Sequence, residues 1–519
     1  MLLPARTGAA PAAHDATSAG APPTRIWRAA ARARAAGIPA EIWVLGALTV
    51  LGAALRFATI ASQSYWFDES QAVHELRLSF GGMLSAIGSN EPNPPFYFLI
   101  GWLWGKVLGT SEAGLRSLSG VAGTAVIPIA YLCGRELVSR RAGLFAAAFA
   151  ALNPFMIWYS QEAREYMLLA ALCGASLLFF ARAWRRPSPR HIAWWTVFSA
   201  LALLTQYFAG FLVAGEAIVL LYVARNRVIA AAAGALAVVE VALVPHLLNH
   251  ASHPLGWIDV FPLSIRIQQV PVQFGLGALY QSSLVTDGLL GAAVLAGCLI
   301  VLLIVGTPSA QLRGAALAGA VAAFVVLVPL LLAALGHDYY VPRALMPAWI
   351  PLAIVIGAAC AAPRLAAAGA ALGAVLLGGF VYAGIAVAAH PQYQRPDWRG
   401  VAAALGHGSG PRAIVAYDGG FASGPLAIYL HGVPWSQSAA ATVTVGEVDV
   451  VGSTSQTRAQ GLPAGVTLIA SRAVNSYLVE RFSLHPAWHL TPAAIGARAG
   501  ALLAPAPPSP AVLIQRPPA

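Results

Sequence analysis

Long apolar runs alternate with short polar segments from about residue 42 to residue 390. A helix that spans a bilayer needs roughly 20 apolar residues, so this pattern is typical of a polytopic membrane protein. We expect a mainly α membrane helix bundle with about eleven spans. The expected spans are 42–60, 117–137, 142–159, 166–182, 192–208, 210–224, 228–247, 284–306, 314–335, 344–362 and 366–389.

The apolar segment 95–109 is short, and Lys106 interrupts it. Cytoplasmic loops carry an excess of Arg and Lys, and this rule fixes which side each loop lies on. The arginine-rich loops share one side only if 95–109 lies at the membrane interface or re-enters. These loops hold Arg135, Arg140, Arg141, Arg182, Arg185, Arg186, Arg190, Arg225, Arg227, Arg313 and Arg364. The first outer loop is then 61–116, and the segments 160–165 and 337–343 are also outside.

After residue 390 the apolar runs become shorter and Gly- and Pro-rich stretches separate them. A helix is expected to begin near Arg399, and three short buried strands follow. The strands are Ala413–Tyr417, Val448–Val451 and Val466–Ala470. The predicted domains are therefore a disordered cytoplasmic tail (1–40), a transmembrane domain (41–390) and an extracytoplasmic α/β domain with a Pro-rich end (391–519).

Composition supports this organisation. The chain of 519 residues is 58% hydrophobic and 10% charged, and its formal charge is +11. Soluble domains have about 25% charged residues. The positive charge is explained by cytoplasmic loops, so it does not indicate a nucleic-acid partner. Abundant Ala, Gly and Arg with a single lysine suggest a GC-rich bacterial genome, and hence a bacterial plasma membrane location.

Asp68 and Glu69 are adjacent carboxylates just beyond the first span. Carboxylates at a membrane edge usually face a cavity, a partner or water. A carboxylate partly removed from water can act as a general base near neutral pH. The alternative is that Asp68 only caps a helix that starts at Glu69.

A second polar cluster, Ser160 to Tyr166, interrupts another apolar run on the same side. Arg164 either pairs with a neighbouring glutamate or binds phosphate. Arg343 either anchors a span at the interface or contacts phosphate through its planar fork. Glu91 lies in a proline-rich junction, and its functional interpretation is a ligand for a divalent metal or a phosphate-linked group. No dinucleotide fingerprint occurs, so no nucleotide cofactor is expected.

Three motifs taken together resemble the GT-C superfamily of polytopic glycosyltransferases. The similarity is to the branch of protein O-mannosyltransferases and lipid A aminoarabinose transferases (glycosyltransferase family 39-like). The motifs are Trp66-Phe67-Asp68-Glu69, Pro94-Pro95-Phe96-Tyr97 and Ser160-Gln161-Glu162-Ala163-Arg164-Glu165-Tyr166. Arg343 and Pro347 resemble a further family element, although Ala344 replaces its tyrosine and Asn93 stands where the family often has histidine.

The resemblance implies transfer of a sugar, with inversion, from a polyprenyl-phosphate donor to a glycan, lipid or protein hydroxyl outside the cytoplasm; mannose is one candidate sugar. By position it implies that Asp68 and Glu69 are catalytic and that Arg164 and Arg343 bind the donor phosphate. It also implies a metal or donor ligand at Glu91 and substrate contacts at four further residues. These four are Tyr97, Gln161, Glu162 and Tyr166.

A transporter or flippase of lipid-linked sugars is the alternative. It would use two acids within predicted spans, Glu216 and Glu240, together with the arginines as a translocation path. Alternatively, these two acids have a purely structural role and form hydrogen bonds between helices. The acids cluster on one face and no paired broken helices occur, so the sequence favours the enzyme.

Overall fold

The structure is a computed structural model that describes residues 39–250, 258, 260–277, 284–408, 410–417, 421–435, 441–459, 461–505 and 510–516. The predicted N-terminal tail therefore lies outside the described residues up to position 38, and so does most of the Pro-rich end. The described residues from 39 to 390 are mainly helical, and a smaller domain with a β-sheet follows.

Sixteen helices make up the larger part of the described chain. They are α1 Ala40–Phe57, α2 Phe67–Arg77, α3 Phe80–Asn90, α4 Phe96–Leu108, α5 Glu112–Leu137, α6 Arg140–Leu152, α7 Pro154–Ser160, α8 Tyr166–Arg185, α9 Pro189–Leu203, α10 Ala209–Ala224, α11 Arg227–His250, α12 Leu263–Leu276, α13 Leu284–Gly306, α14 Ser309–Ala334, α15 Trp349–Cys360 and α16 Ala366–Ala389.

Each predicted span coincides with helical structure, so the chain is a multi-pass membrane protein. Among the described residues, six helices are long and apolar enough to cross a bilayer. The pair α6 and α7, bent by 56° at Asn153, makes up to seven. Several of the remaining helices are shorter, and the expected number of eleven spans is not confirmed.

Helix α4 occupies the segment that was expected to lie at the interface. Its 13 residues extend about 20 Å at 1.5 Å per residue. A hydrocarbon core is about 30 Å thick, so this length is short for a full crossing. The helix packs against α2 and α5. Its orientation in the bilayer remains a prediction.

Local sequence explains where several helices begin. A polar side chain directly before the helix accepts a hydrogen bond from a backbone N–H of the first turn, which satisfies one donor that the helix leaves unpaired. The capping residues of α3, α5, α6, α7 and α9 are Ser79, Ser111, Ser139, Asn153 and Ser188.

The centre of the membrane domain is a single apolar core. Helices α5, α6, α8 and α15 pack around it. Small residues allow α5 and α6 to approach closely, because a Cβ on Gly134 would lie only 2.8 Å from the Cα of Gly143. Small residues at helix interfaces are a general feature of membrane bundles, where close packing replaces the hydrophobic effect.

The C-terminal domain is built on a five-stranded sheet. Its strands are β1 Arg412–Ala416, β2 Val443–Ser453, β4 Val466–Val474, β5 Tyr477–Leu490 and β7 Ala511–Gln515, in the order β4-β5-β2-β1-β7. Only β1 and β2 are parallel among these pairs. Two short strands, β3 Thr457–Arg458 and β6 Leu503–Ala504, pair separately. Helices α17 Trp398–Leu405, α18 Ser423–Tyr429 and α19 Pro492–Gly500 complete the domain.

The expected helix and three strands correspond to α17, β1, β2 and β4, although β2 and β4 are longer than expected. Strand β5, which lies in the interior of the sheet, is not among the predicted strands. Pro486 lies within β5, and proline disfavours a central strand because it has no N–H to donate. Here Pro486 faces the point where the register between β2 and β5 shifts, between Val445 and Glu447. Proline is tolerated at such a bulge.

Aromatic and hydroxyl groups join the C-terminal domain to the first outer loop. The Tyr429 hydroxyl donates to Glu112 Oε1 at 2.6 Å and accepts from the Tyr65 backbone N at 2.7 Å. His74 stacks on Trp435 with their ring centroids 4.0 Å apart. The loop that carries Asp68 is therefore held between the membrane helices and the C-terminal domain.

Candidate active site

Asp68 and Arg343 form an ion pair at one end of the helix bundle. Arg343 Nη1 donates to Asp68 Oδ2 at 2.8 Å, and both side chains are 21% exposed. Asp68 lies inside the first turn of α2, which begins at Phe67 after Trp66. The interpretation of Asp68 as the cap of a helix starting at Glu69 is therefore wrong. Arg343 is engaged with a carboxylate, so interfacial anchoring does not describe its position.

Glu69 is fully buried and points away from this pair. Its carboxylate accepts from Arg116 Nε at 2.7 Å and Nη2 at 2.6 Å, and from the Ala163 backbone N at 2.7 Å. Burial by itself would raise the pKa of Glu69, but the Arg116 charge and hydrogen bonds hold this pKa below its usual range. These contacts indicate that Glu69 holds the first turn of α2, which carries Asp68, in place.

Arg116 was not singled out by the sequence, yet it organises the first outer loop. Its guanidinium also donates to three backbone carbonyls that precede α2, those of Ile60, Gln63 and Ser64. The Glu69–Arg116 pair thereby ties the start of α2 to α5 and to the loop at 161–165. Removing one partner of a buried ion pair is strongly destabilising, because the other charge stays buried without compensation.

Arg164 forms a second buried ion-pair cluster. Its Nη1 and Nη2 donate to the two oxygens of Glu91 at 3.1 and 3.3 Å, and its Nε lies 3.0 Å from Glu165. The Arg164 side chain is only 7% exposed. This arrangement favours the pairing interpretation of Arg164, with Glu91 as an unexpected partner, over direct contact with phosphate.

The prediction of a metal at Glu91 does not fit the structure. Arg164 donates to both carboxylate oxygens, and Asn93 donates to Oε1 through its backbone N and its side-chain amide. A guanidinium at this position would oppose a divalent cation electrostatically. In the part of the chain that the structure describes, no group of three or more His, Cys, Asp or Glu could hold a metal ion.

Three of the four expected substrate contacts have mainly structural positions. Gln161 donates from Nε2 to the Arg56 carbonyl and to Thr59 Oγ1, which fixes the end of α1. Tyr97 is 1% exposed within the packing of the first outer loop. Tyr166 is buried beside Arg343, whose guanidinium lies 5.9 Å from its ring centroid.

Glu162 is the expected contact that faces a cavity. Its Oε2 accepts from Arg395 Nη2 at 2.9 Å, while its Oε1 is buried with no partner among the described residues. Burial raises the pKa of Glu162 to about 7, although the Arg395 charge acts in the opposite direction. Burial thus favours the protonated form of this carboxyl.

Arg395 was also missed by the sequence analysis. It lies between the last membrane helix and the C-terminal domain, and it reaches back to the loop at 161–165. Besides Glu162, it contacts the carbonyl of Gln161 at 3.0 Å and lies 4.3 Å from the Trp158 ring centroid. A lone arginine after a span gives no signal of such a contact, because its partner is 233 residues away.

Some of these side chains line a cavity of about 360 Å³. Arg343, Glu162 and Arg395 line it, together with aromatic side chains such as Trp66 and Trp158. Asp68 is not one of the lining residues; it borders the cavity through its contact with Arg343. Glu69, Glu91 and Arg164 do not line the cavity either.

Helix α12 separates this polar cavity from a second one. Gln269 and Gln273, one helical turn apart, line the polar cavity. Val270 and Phe274 on another face of the same helix line an apolar cavity of about 510 Å³ within the membrane helices. A polar site and an apolar space therefore lie on the two sides of one helix.

The two acids within the membrane helices do not form a path to this cavity. Glu216 is buried and accepts from Ser176 Oγ at 2.6 Å and Trp195 Nε1 at 2.8 Å. This is the interhelical hydrogen bonding that the structural interpretation describes. Glu240 on α11 has an exposed side chain, and its Oε1 packs against Gly210 of α10.

Comparison with known proteins finds a family whose model matches part of this chain. Residues 92–248 match the family described as dolichyl-phosphate-mannose-protein mannosyltransferase. This match covers less than a third of the chain, and it agrees with the resemblance to membrane glycosyltransferases of the protein O-mannosyltransferase kind that the motifs indicate. No curated protein sequence matches the chain.

Solved structures with a related arrangement come from bacteria and archaea. The apo state of ArnT from Cupriavidus metallidurans is 14% identical, with 85% of this chain and 98% of that chain covered and a TM-score of 0.49. The same enzyme bound to undecaprenyl phosphate is 16% identical, with 72% and 67% covered and a TM-score of 0.45. The Archaeoglobus fulgidus oligosaccharyltransferase with Zn and sulfate is 15% identical, with 69% and 54% covered and a TM-score of 0.41.

Proposed function

We propose that this protein transfers a sugar from a polyprenyl-phosphate donor to a hydroxyl of an extracytoplasmic glycan, lipid or protein in the bacterial plasma membrane. The observation that carries the proposal is the pairing of two cavities across α12. A lipid-linked sugar needs a polar site for its sugar and phosphate and an apolar space for its tail. The polar cavity with Arg343 and the apolar cavity with Phe274 meet both needs.

In this proposal the two members of the ion pair, Asp68 and Arg343, have different roles in the reaction. Asp68 accepts the proton of the acceptor hydroxyl, and the hydroxyl oxygen then attacks the anomeric carbon of the sugar. The bond between that carbon and the phosphate oxygen breaks with inversion, and polyprenyl phosphate leaves. Arg343 stabilises the charge that develops on the leaving phosphate through charge-assisted hydrogen bonds.

Asp68 Oδ1 has no hydrogen-bond partner among the described residues, whereas Oδ2 is held by Arg343. One oxygen thus orients the carboxylate and the other is available for the acceptor. Glu69 and Arg116 act as positioning residues, because they fix the first turn of α2. The C-terminal domain, which we place outside with the site, contributes through its contact with the first outer loop.

Purified protein in lipid vesicles tests the proposal and separates it from a flippase. The vesicles contain polyprenyl phosphate carrying a radiolabelled hexose. We expect the label to leave the lipid, with release of polyprenyl phosphate, and we expect Asp68→Asn to block this release. A donor that crosses between leaflets without being cleaved would contradict the proposal and support the transporter.

A further inference from the structure

The polar cavity holds two amides that the proposed chemistry does not use. Gln269 and Gln273 lie one turn apart on α12, and both line the cavity. Neither side chain makes a hydrogen bond within the described part of the chain. Gln269 is only 8% exposed. Their amide atoms are not sealed off from the cavity, so they can form hydrogen bonds with a polar ligand that enters it.

Carboxylates around the cavity are already engaged by arginines. Three such pairs border it, and each joins elements that are distant in sequence. The pairs are Asp68–Arg343, Glu162–Arg395 and Asp338–Arg266. Among the described residues, the cavity-lining groups that still have hydrogen-bonding capacity include the two amides, Glu162 Oε1 and Trp66 Nε1, and the last two are buried without a partner.

We propose that Gln269 and Gln273 bind the hydroxyl groups of an uncharged sugar. This inference rests on the proposed function and specifies its substrate class. An amide offers two donors and an acceptor, which matches the donor and acceptor character of sugar hydroxyls. Trp66 and Trp158 also line the cavity, and aromatic side chains are typical of the lining of small-molecule sites.

A sugar with an ammonium group fits this cavity poorly. Three guanidinium groups line it, those of Arg266, Arg343 and Arg395. Each neighbouring carboxylate already has one of them as its partner. An additional fixed positive charge would be repelled without a compensating pair. The cavity therefore selects a neutral hexose or pentose over an amino sugar.

The test uses the full-length protein and three donors: polyprenyl phosphates that carry mannose, glucose or 4-amino-4-deoxyarabinose. The variant Gln269→Leu/Gln273→Leu keeps the side-chain size and removes the amides. Gln268→Leu is the matched control, because Gln268 lies on the same helix but does not line the cavity. Sugar release to water and sugar transfer to a membrane-extract acceptor are both measured.

For the wild-type protein we expect kcat/KM with at least one neutral donor to exceed that with the amino-sugar donor by about 10-fold or more, since mismatched polar groups in a site are strongly rejected. The double variant should lose about 10- to 100-fold with that neutral donor. The Gln268→Leu control should retain wild-type rates. A single Gln273→Glu change adds an unpaired carboxylate and should improve use of the amino-sugar donor relative to the neutral donor.

Two rates locate the bound sugar. If the double variant loses both release to water and transfer, the amides bind the donor sugar. If it loses transfer alone, they bind a sugar of the acceptor. Unchanged rates in the double variant, or a preference for the amino-sugar donor in the wild type, would overturn the inference.

Donor-induced thermal stabilisation gives a readout without turnover, because a ligand that binds only the folded state raises the melting temperature. A wild-type protein that cleaves no donor would refute the proposed function. In that case, the amide subsite would still be supported if a neutral donor raises the melting temperature of the wild type but not of the double variant. The subsite would be refuted if the donor does not stabilise the wild type, or if it stabilises the double variant equally.

Discussion

Arg343 donates a hydrogen bond to Asp68 across 275 residues of sequence, with 2.8 Å between Nη1 and Oδ2. The two side chains come from elements that the bundle brings together, the first turn of α2 and the segment that follows α14. The pair joins a candidate base to a candidate phosphate-binding group. Their contact is the geometric basis of the proposed reaction.

Replacing Arg343 by lysine should reduce sugar transfer even though the charge is kept. A lysine ammonium is a point charge and cannot hold Asp68 and a phosphate oxygen through a planar fork. We expect a loss of about 2–4 kcal/mol of transition-state stabilisation. The measurement is kcat/KM with a polyprenyl-phosphate donor. Arg364→Lys, at an exposed position, is the control and should be neutral; equal rates for both variants would remove Arg343 from phosphate binding.

Replacing Glu69 by glutamine should act mainly on stability. The change leaves Arg116 buried without its counter-charge, which typically costs about 3–5 kcal/mol. A thermal unfolding scan in detergent should show a clear fall in the melting temperature. The control is Glu41→Gln, whose partner Arg140 is 69% exposed, because such surface pairs contribute about 0–1 kcal/mol. A stable Glu69→Gln protein without activity would instead show that Glu69 takes part in catalysis.

The raised pKa of Glu162 predicts how stability depends on pH. The folded protein keeps the Glu162 proton up to a pKa of about 7, whereas an unfolded glutamate loses it near pH 4.3. The folded state therefore binds more protons between these values, and its stability falls as the pH rises through this window.

Melting temperatures of the wild type and Glu162→Gln across pH 5 to 8 measure this effect. Glu75, whose burial raises its pKa to about 8, adds a dependence of the same sign to both proteins. The difference between the two curves therefore isolates Glu162. We expect the wild type to lose more stability than the variant as the pH rises; parallel curves would contradict a raised pKa at Glu162.

Sequence periodicity was sufficient to locate the membrane helices, because each helix depends on neighbouring residues. The partners of the ionised groups could not be predicted in the same way. Glu69 pairs with Arg116 at a separation of 47 residues, and Glu162 with Arg395 at 233. Such contacts depend on how the helices pack, and no local pattern marks them.

The same limit explains why Arg164 was expected to bind phosphate. Its position among polar residues in a short outer loop suggests access to a substrate. The packing of the first outer loop instead brings Glu91 onto its guanidinium and buries both. Arg343 also lies in a loop between helices, but it lines the cavity. Its partner Asp68 lies in the first turn of α2 and is partly exposed.

The predicted topology places the C-terminal domain outside the cytoplasm. Cysteine labelling at Ser453, an exposed position in β2, tests this in a Cys298→Ser background, since Cys298 is the native cysteine that is exposed among the described residues. An impermeant reagent should label Ser453→Cys in intact cells. Ser309→Cys, at the predicted cytoplasmic end of α14, is the control and should be labelled only after the cells are opened. The reverse pattern would invert the topology.

In the proposed reaction, Asp68 is the base that takes up the proton of the acceptor hydroxyl. Asparagine has the same size as aspartate and still accepts a hydrogen bond from Arg343, but it cannot take up a proton. Asp397→Asn is the matched control, because Asp397 caps α17 through Gly400 N and asparagine caps a helix equally well.

The decisive measurement is the rate of sugar transfer from a polyprenyl-phosphate donor by purified Asp68→Asn protein whose melting temperature is within a few degrees of wild type. The account predicts a rate about 10²–10⁴-fold lower, with Asp397→Asn unchanged. A stable Asp68→Asn protein with the full wild-type rate would contradict the account and exclude Asp68 from the chemistry.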